Sequence, residues 1–370
     1  MSHVFNDIIN LNDIEIRNLE YLDNFRNIVL WGAGVYVSQI IEIIGRERIG
    51  AIFDTDEKKH GHFVCGFEVK NPFLEWNAFV DSDTVIVISC ASHQYEIAKM
   101  VCDCFSISNN RLFAFTHFFA EKYMYSIEDI FKNENEIRKA IDYLADDESK
   151  DYFCRTIYER ITRNPLLLYD NPCIKSQYEY ISDDIRIGVN QQNDIIDCGA
   201  FVGDTAELFI RKCNGNCKIY AFEPFWGNYE HLCSWIKDNG FEDRVYARQA
   251  FVSDHLGKTM ISASNMESVS ASEDNRACYE NSVDVISIDS LNLKKVDFIK
   301  MDIEGAELDA IRGCQSTICK FKPQMMISAY HRVNHLWEIP KLIKETCPEY
   351  RIYCGHQPHA AFEPEFYVTI

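Results

Sequence analysis

Three short stretches in the C-terminal half concentrate the residue types that do chemistry. The first is Asp197-Cys198-Gly199-Ala200-Phe201-Val202-Gly203-Asp204-Thr205, which follows an apolar run of strand character and opens an amphipathic helix. Glycines at such a junction permit a tight strand-to-helix turn and a close approach of backbone to a ligand. The second is Glu223-Pro224, at the end of the run Lys218–Phe222. An acid at the tip of a second strand can accept hydrogen bonds from both ribose hydroxyls of a nucleoside. The third runs from Val296 to Glu307, where Lys300, Asp302, Glu304 and Glu307 crowd the end of an otherwise apolar strand. A strand buried on both faces directs such charges to its tip, into the cleft. Glu304 and Glu307 also suit a helix N-terminus, where negative charge is favoured.

The glycine turn lacks G-x-G-x-x-G and carries Asp197 and Asp204 near its two ends. That pattern suits an adenosyl ligand without a pyrophosphate, so S-adenosylmethionine is expected here in preference to a dinucleotide. DCGAFVGDT, AFEP and DFIKMDIEGAELDAIRG, in this order and spacing, resemble the FkbM-type methyltransferase family, as do KPQMMISAYH and the tail GHQPHAAFEPEFYVTI. The resemblance covers about residues 180–370. It implies a class I methyltransferase fold, S-adenosylmethionine as cofactor and, commonly, O-methylation of hydroxyls on sugars or natural products. Carried over to this chain, Asp197, Gly199, Ala200, Gly203 and Asp204 would surround the methionine part of the cofactor. Glu223 would hold the ribose, and Ala250 with its neighbours would lie near the adenine. Thr205 and Pro224 complete the expected cofactor-binding set. The family supplies no catalytic base.

Methyl transfer is an in-line displacement, so positioning donor and acceptor supplies much of the catalysis. A hydroxyl acceptor must also lose its proton as it attacks. Asp302, Glu304 and His331 are the candidate bases, and histidine is the natural one near neutral pH. Lys300 is a candidate for holding a carboxylate or phosphate of the acceptor. His356 and His359, read as loop residues, are weaker candidates for acceptor contacts or metal ligands. The expected set contains no resident metal.

These residues need an open α/β frame. Strands are expected at 194–198, 218–222, 245–252, 297–302, 324–330, 350–354 and 365–370, with helices at 204–213, 226–238, 305–319 and 335–346. The Ser-rich stretch within 258–288 reads as a hairpin or loop insertion. A second set with the same layout lies near the N-terminus. Asn27–Trp31 reads as a strand, Gly32-Ala33-Gly34 as a turn and Val35–Ile44 as a helix; Ile49–Phe53 ends at Asp54, and Thr84–Ser89 precedes a helix near Tyr95–Cys104. Gly34-to-Asp54 spacing suits a ribose-binding acid, although Val37 stands where the third glycine of the fingerprint belongs. This segment resembles small Rossmann-like domains of sugar-modifying enzymes, which implies a nucleotide ligand or a structural, dimerising role. Helical patterns over Ile127–Leu144 and Lys150–Arg163 link the two sets.

The expected fold class is therefore α/β: a doubly wound class I methyltransferase sheet at 181–370, a smaller Rossmann-like domain at 1–120 and a helical connector at 121–180. A length of 370 residues, 47% of them hydrophobic, supports two cores. A formal charge of −20 argues against nucleic acid or an anionic membrane as the main partner. Fifteen scattered cysteines match no four-ligand zinc spacing and suit free thiols in a reducing cytoplasm. No membrane span is expected, and oligomerisation is left open. The expected activity is transfer of a methyl group from S-adenosylmethionine to a hydroxyl of a sugar, glycan or related metabolite. The alternatives are a nicotinamide-dependent oxidoreductase or epimerase using the N-terminal unit, and a non-catalytic S-adenosylmethionine-binding protein.

Overall fold

A computed structural model describes residues 17, 19–90, 94–114, 127–164, 166, 192–260, 282–356 and 364–370. The chain divides into two compact units, one formed by 1–132, 151–174 and 356–362, the other by 133–150, 175–355 and 363–370.

In the first unit, strands β1 (Asn27–Trp31), β2 (Ile49–Phe53), β3 (Phe63–Val64), β4 (Phe67–Lys70), β5 (Thr84–Ile88) and β6 (Leu112–Ala114) form one sheet in the order β3-β4-β2-β1-β5-β6. β1 pairs in parallel with both β2 and β5, and both of its faces are covered. On one side lie Leu22, Ile28, Leu30 and the buried stripe Val37, Ile40 and Ile44 of helix α1 (Val37–Ile44). On the other, Val29, Trp31 and Phe53 meet Ala98 and Val101. Helix α2 (Pro72–Phe79) begins where Asn71 accepts from the Phe73 N–H and Pro72 takes the first turn, where a missing donor costs nothing. Helix α3 (Gln94–Phe105) follows β5. β3, β4, β6 and α2 are short elements that the periodicity did not mark.

The helical pattern over Ile127–Leu144 forms two helices, α4 (Ile127–Lys132) in the first unit and α5 (Glu134–Tyr143) in the second. Helix α6 (Asp147–Thr162) comes next.

The second unit adds β7 (Asn193–Cys198), α7 (Asp204–Lys212), β8 (Cys217–Phe222), α8 (Trp226–Asp238) and β9 (Val245–Arg248). Then come β10 (Ala250–Val252), β11 (Gly257–Met260), β12 (Ser282–Ile286), β13 (Phe298–Met301), α9 (Glu307–Arg312) and α10 (Gln315–Phe321). β14 (Gln324–Ser328), α11 (His335–Thr346), β15 (Arg351–His356) and β16 (Pro364–Thr369) complete it. Its main sheet has the order β15-β16-β14-β13-β7-β8-β9, with β16 antiparallel to β14. From β7 the chain winds outward through β8 and β9, then returns to β13 on the other side. The carboxyl ends of β7 and β13 therefore flank the point where strand order reverses, which is where open α/β sheets bind ligands. The core on one side joins Ile195, Ile219 and Phe298 to Ala206, Phe209, Leu232 and Ile236 from α7 and α8.

Three expectations are corrected. The run 245–252 is two strands in different sheets, because β10 leaves the main sheet to pair with β12. The helix expected over 305–319 breaks into α9 and α10 at Gly313, where a Cβ would overlap the Ser253 carbonyl. His356 ends strand β15 and is not a loop residue, while His359 lies outside the described residues. Of the 258–288 insertion, β11 and β12 form an antiparallel pair, and 261–281 lie outside the described residues. Among the described residues every cysteine is a free thiol, and no helix is long and apolar enough to cross a membrane.

Candidate active site

The turn after β7 is built by close approach. Gly199 has φ +79°, and a Cβ there would overlap the Asp302 carbonyl oxygen. Only glycine therefore lets the turn sit against the chain leaving β13. Gly203, at φ +102°, caps α7 with its Cα against the Trp235 ring. Phe201 also lies in the left-handed region at φ +47°, and its N–H donates to Glu223 Oε2 at 3.0 Å.

Glu223 stands at the end of β8 and is buried, with a second N–H donated by Phe225 at 3.0 Å and the Asn228 amide at 3.4 Å. Burial pushes its carboxyl above the usual range, against the pull of these donors. About four lone-pair sites meet three donors, one of them long, so this carboxylate retains capacity for a bound hydroxyl. Thr205 lies in the first turn of α7 and Pro224 follows Glu223, while Ala250 is the buried first residue of β10.

Register explains what lies beneath the turn. β13 pairs with β7 so that Lys300 stands opposite Asp197. The ammonium lies 3.3 Å from Asp197 Oδ1 and donates to the Gly199 carbonyl at 2.6 Å. Both residues are buried. Burial pushes the Asp197 carboxyl up to about 6 despite Lys300. Burial opposes the charge of Lys300, but Asp197, Asp302 and Asp204 outweigh it and hold the ammonium protonated. Lys300 thus braces the turn from below, and among the described residues its partners are Asp197 and the Gly199 carbonyl. Neither Asp197 oxygen makes a hydrogen bond among the described residues.

The chain beyond β13 gathers the remaining candidates. Glu304 at φ +56° and Gly305 at φ +101° turn it sharply into α9. His331 lies three residues past β14, with Nε2 3.5 Å from Asp302 Oδ1 and 3.4 Å from Glu304 Oε2. Asp302 also accepts from the Tyr330 hydroxyl at 3.0 Å. Behind His331, Nδ1 lies 2.8 Å from Glu307 Oε1, and Glu307 is fully buried. His335 Nδ1 is 3.3 Å from the other Glu307 oxygen. Burial works against the His331 imidazolium, but Glu307, Asp302 and Glu304 outweigh it and raise its pKa to about 9. Burial, reinforced by Asp302, Glu307 and Glu223, pushes Glu304 up to about 7. Burial pushes His335 down to about 4.

Asp302, Glu304 and His331, expected from sequence as alternatives, form one cluster. Glu307 and His335 are its additional members. Each heads an apolar helical stripe: Glu307 with Ala310 and Ile311, His335 with Ile339 and Ile343. A titratable group at the head of a buried stripe is the sequence signal that marks them. Donor atoms of Asp302, Glu307 and His331 lie within 4.8 Å of one another, close enough for a cation. The Glu307 and His331 atoms, however, face each other as a hydrogen-bonded pair, so we read the set as a proton network.

In the first unit the corresponding acid is Asp54. It accepts from the Ala33 N–H at 2.8 Å and the Asp56 N–H at 2.9 Å, and it is capped by Lys59 Nζ at 2.8 Å. Burial raises its pKa, but these donors, Lys59 first, bring it below the usual range.

Over residues 197–352 the chain matches the family described as the methyltransferase FkbM domain. Its structure is similar to that of a methyltransferase FkbM from Methylobacillus flagellatus KT, with a TM-score of 0.72 and 19% identity, covering 98% of this chain and 96% of that one. At that identity the likeness is one of fold. Aeropyrum pernix fibrillarin, solved with natively bound S-adenosyl-L-methionine, aligns at 12% identity and a TM-score of 0.32 over 50% of this chain and 70% of that one. A SAM-dependent O-methyltransferase of Thermotoga maritima aligns at 14% identity and 0.30 over 49% and 60%. The last two overlays are too loose to carry an argument. No curated protein matches the chain.

Proposed function

We propose that this chain, whose residues 197–352 belong to the methyltransferase FkbM domain family, binds S-adenosylmethionine at the β7–β8 edge and methylates a hydroxyl of a sugar, glycan or related metabolite. The observation that carries the reading is the meeting, at one switch point, of a glycine turn bonded to Glu223 with the Asp302–Glu304–His331 cluster.

The residues present fit the cofactor. Glu223 has lone-pair capacity for ribose hydroxyls, and Asp197, paired with Lys300 beneath the turn, would hold the backbone that surrounds the methionine part. Gly199, Ala200, Gly203, Asp204 and Thr205 would surround the methionine part, and Pro224 and Ala250 would border the nucleoside. When bound, the cofactor supplies an electrophilic methyl group on a sulfonium. Asp302 orients the acceptor, its own carboxylate fixed by Tyr330. The hydroxyl proton passes to the Glu304–His331 pair as the oxygen attacks. Glu304 is the better matched acceptor of that proton at neutral pH, because its pKa near 7 lies closest to the working range. His331, protonated beside it, stabilises the negative charge on the oxygen. The pair titrates as a unit.

The test is release of S-adenosylhomocysteine from a panel of free sugars, glycosides and nucleotide sugars. Glu304→Gln and His331→Asn should each lower turnover by ~10²–10⁴ with cofactor affinity little changed. Wild-type turnover in both variants, on an acceptor that the protein methylates, removes the proton role from this cluster.

A further inference from the structure

We infer that Glu307 is a positioning residue for methyl transfer, fixing His331 and the 302–305 turn in a single register; the inference rests on the function proposed above. Glu307 is wholly buried and so touches neither cofactor nor acceptor. One oxygen, Oε1, accepts the Ile303 N–H at 3.0 Å and also lies 2.8 Å from His331 Nδ1. A single atom thus ties the backbone of the turn that carries Asp302 and Glu304 to the imidazole that faces them. The other oxygen lies 3.3 Å from His335 Nδ1 at the start of α11. Three segments, the 302–305 turn, the link after β14 and α11, meet on this one carboxylate.

The consequence for His331 is geometric. With Nδ1 directed at Glu307, Nε2 is the nitrogen left to face Asp302 Oδ1 and Glu304 Oε2. Flipping the ring would place a C–H against a buried carboxylate oxygen, which then loses one of its two donors and keeps the Ile303 N–H. A buried acid that fixes the orientation and charge of an imidazole is the logic of other catalytic histidines. An apolar side chain would fill this place in the stripe of Ala310 and Ile311 without the cost of a buried charge. The titratable and charged groups around His331 are Glu307, Asp302 and Glu304, with His335 on the other Glu307 oxygen and Arg332 next in the chain, donating to the Gly305 carbonyl. Burial works against the charge of Glu307, but His331 and then His335 bring its carboxyl below the usual range, in keeping with an ionised partner.

The test uses the full chain labelled with ¹⁵N-histidine, with the His331 signals assigned by their loss in His331→Asn. In the wild type His331 should titrate well above 6.5, and its neutral form should keep the proton on Nδ1. In Glu307→Gln, which keeps the shape and removes the charge, the titration should fall by at least ~1 unit and the tautomers should mix. S-adenosylhomocysteine affinity, measured by calorimetry, should stay within about threefold. The kcat on an acceptor from the panel should fall more than ~10-fold at unchanged KM for S-adenosylmethionine. Glu307→Asp keeps the charge but shortens the reach, and should give an intermediate His331 titration; it supplies the same readout if the Gln variant does not fold. A His331 titration and tautomer identical to wild type in a folded variant overturns the inference. Failure of the wild type to bind S-adenosylhomocysteine overturns the methyltransferase reading instead, and the histidine titration does not depend on it.

Discussion

The two larger sheets of this protein meet the same structural problem and differ in what they place beside the solution. In each, a glycine turn follows the first strand, and an acid ends the second strand. That acid accepts an N–H from the turn and another from two residues downstream: Ala33 and Asp56 to Asp54, Phe201 and Phe225 to Glu223. The strand across the switch point separates them. In the first unit β5 is followed by Ser89, whose hydroxyl donates to the Trp31 and Gly32 carbonyls, and Asp54 is capped by a half-exposed Lys59. In the second, β13 carries Lys300 beneath the turn and leads into Asp302, Glu304 and Glu307. Strand-turn-helix geometry makes the same kind of edge twice, and the residues of the switch-point strand set the two apart.

The sharpest break of this comparison is removal of the two lysines. Lys300→Met leaves a fully buried Asp197 carboxylate without its counter-charge, at a cost of about 3–5 kcal/mol. For a unit of this size the melting temperature should drop by roughly 10 °C. The loss should shrink below pH 6, where Asp197 can take up a proton. Lys59→Met removes a partner that is 42% exposed and should cost at most about 1 kcal/mol. Equal losses in the two variants, read by thermal melts, contradict the bracing role of Lys300.

pH should separate the two edges by sign. His331 has a folded pKa of about 9 against 6.5, so its stabilisation is complete below 6.5 and disappears as pH rises through 9. The loss is on the order of 3 kcal/mol, shared with Glu307 and counted once. Asp54 is lowered below 3.8, so its contribution is present above that value and is lost as pH falls through the lowered pKa. Denaturant titrations from pH 3 to pH 9.5 should show both limbs, and Glu307→Gln should flatten only the alkaline one. An alkaline loss that persists in this variant assigns it to another group.

A smaller effect concerns the edge of the second unit. Helix α5 packs on α11, and the Ala145 N–H donates to the Ile352 carbonyl at 2.8 Å. A fragment beginning at 181 omits Ile137, Ala140 and Ile141, which are buried. It should melt several degrees below a fragment beginning at 133, with both binding S-adenosylhomocysteine. Equal melting temperatures make α5 dispensable.

Much of the second sheet was legible because its strands are short apolar runs that end in glycine or acid, as at Cys198, Phe222 and Met301. What was not legible depends on partners distant in sequence. Nothing local in 245–252 tells that β10 pairs with β12 more than thirty residues on. Gly313 reads as an ordinary helix residue until the Ser253 carbonyl arrives against it. At the site, Glu223 and Asp302 were found from their place at strand tips. Lys300 was read as facing the cleft because charge at a tip usually does, whereas register with Asp197 turns it inward. Glu307 suits either the cleft or a helix N-terminus in the sequence, since its partners, His331 and His335, come 24 and 28 residues later.

The central claim is that the β7–β8 edge of the second unit, and not its counterpart in the first, holds S-adenosylmethionine. Calorimetric titration of the full chain with S-adenosylhomocysteine tests it most directly, in the wild type, Glu223→Ala and Asp54→Ala. One equivalent should bind the wild type, and Glu223→Ala should weaken binding at least ~10-fold by loss of charge-assisted hydrogen bonds, each worth ~1.5–3 kcal/mol. Asp54→Ala should leave the affinity unchanged. Unaltered binding in Glu223→Ala, or a loss in Asp54→Ala instead, contradicts the account.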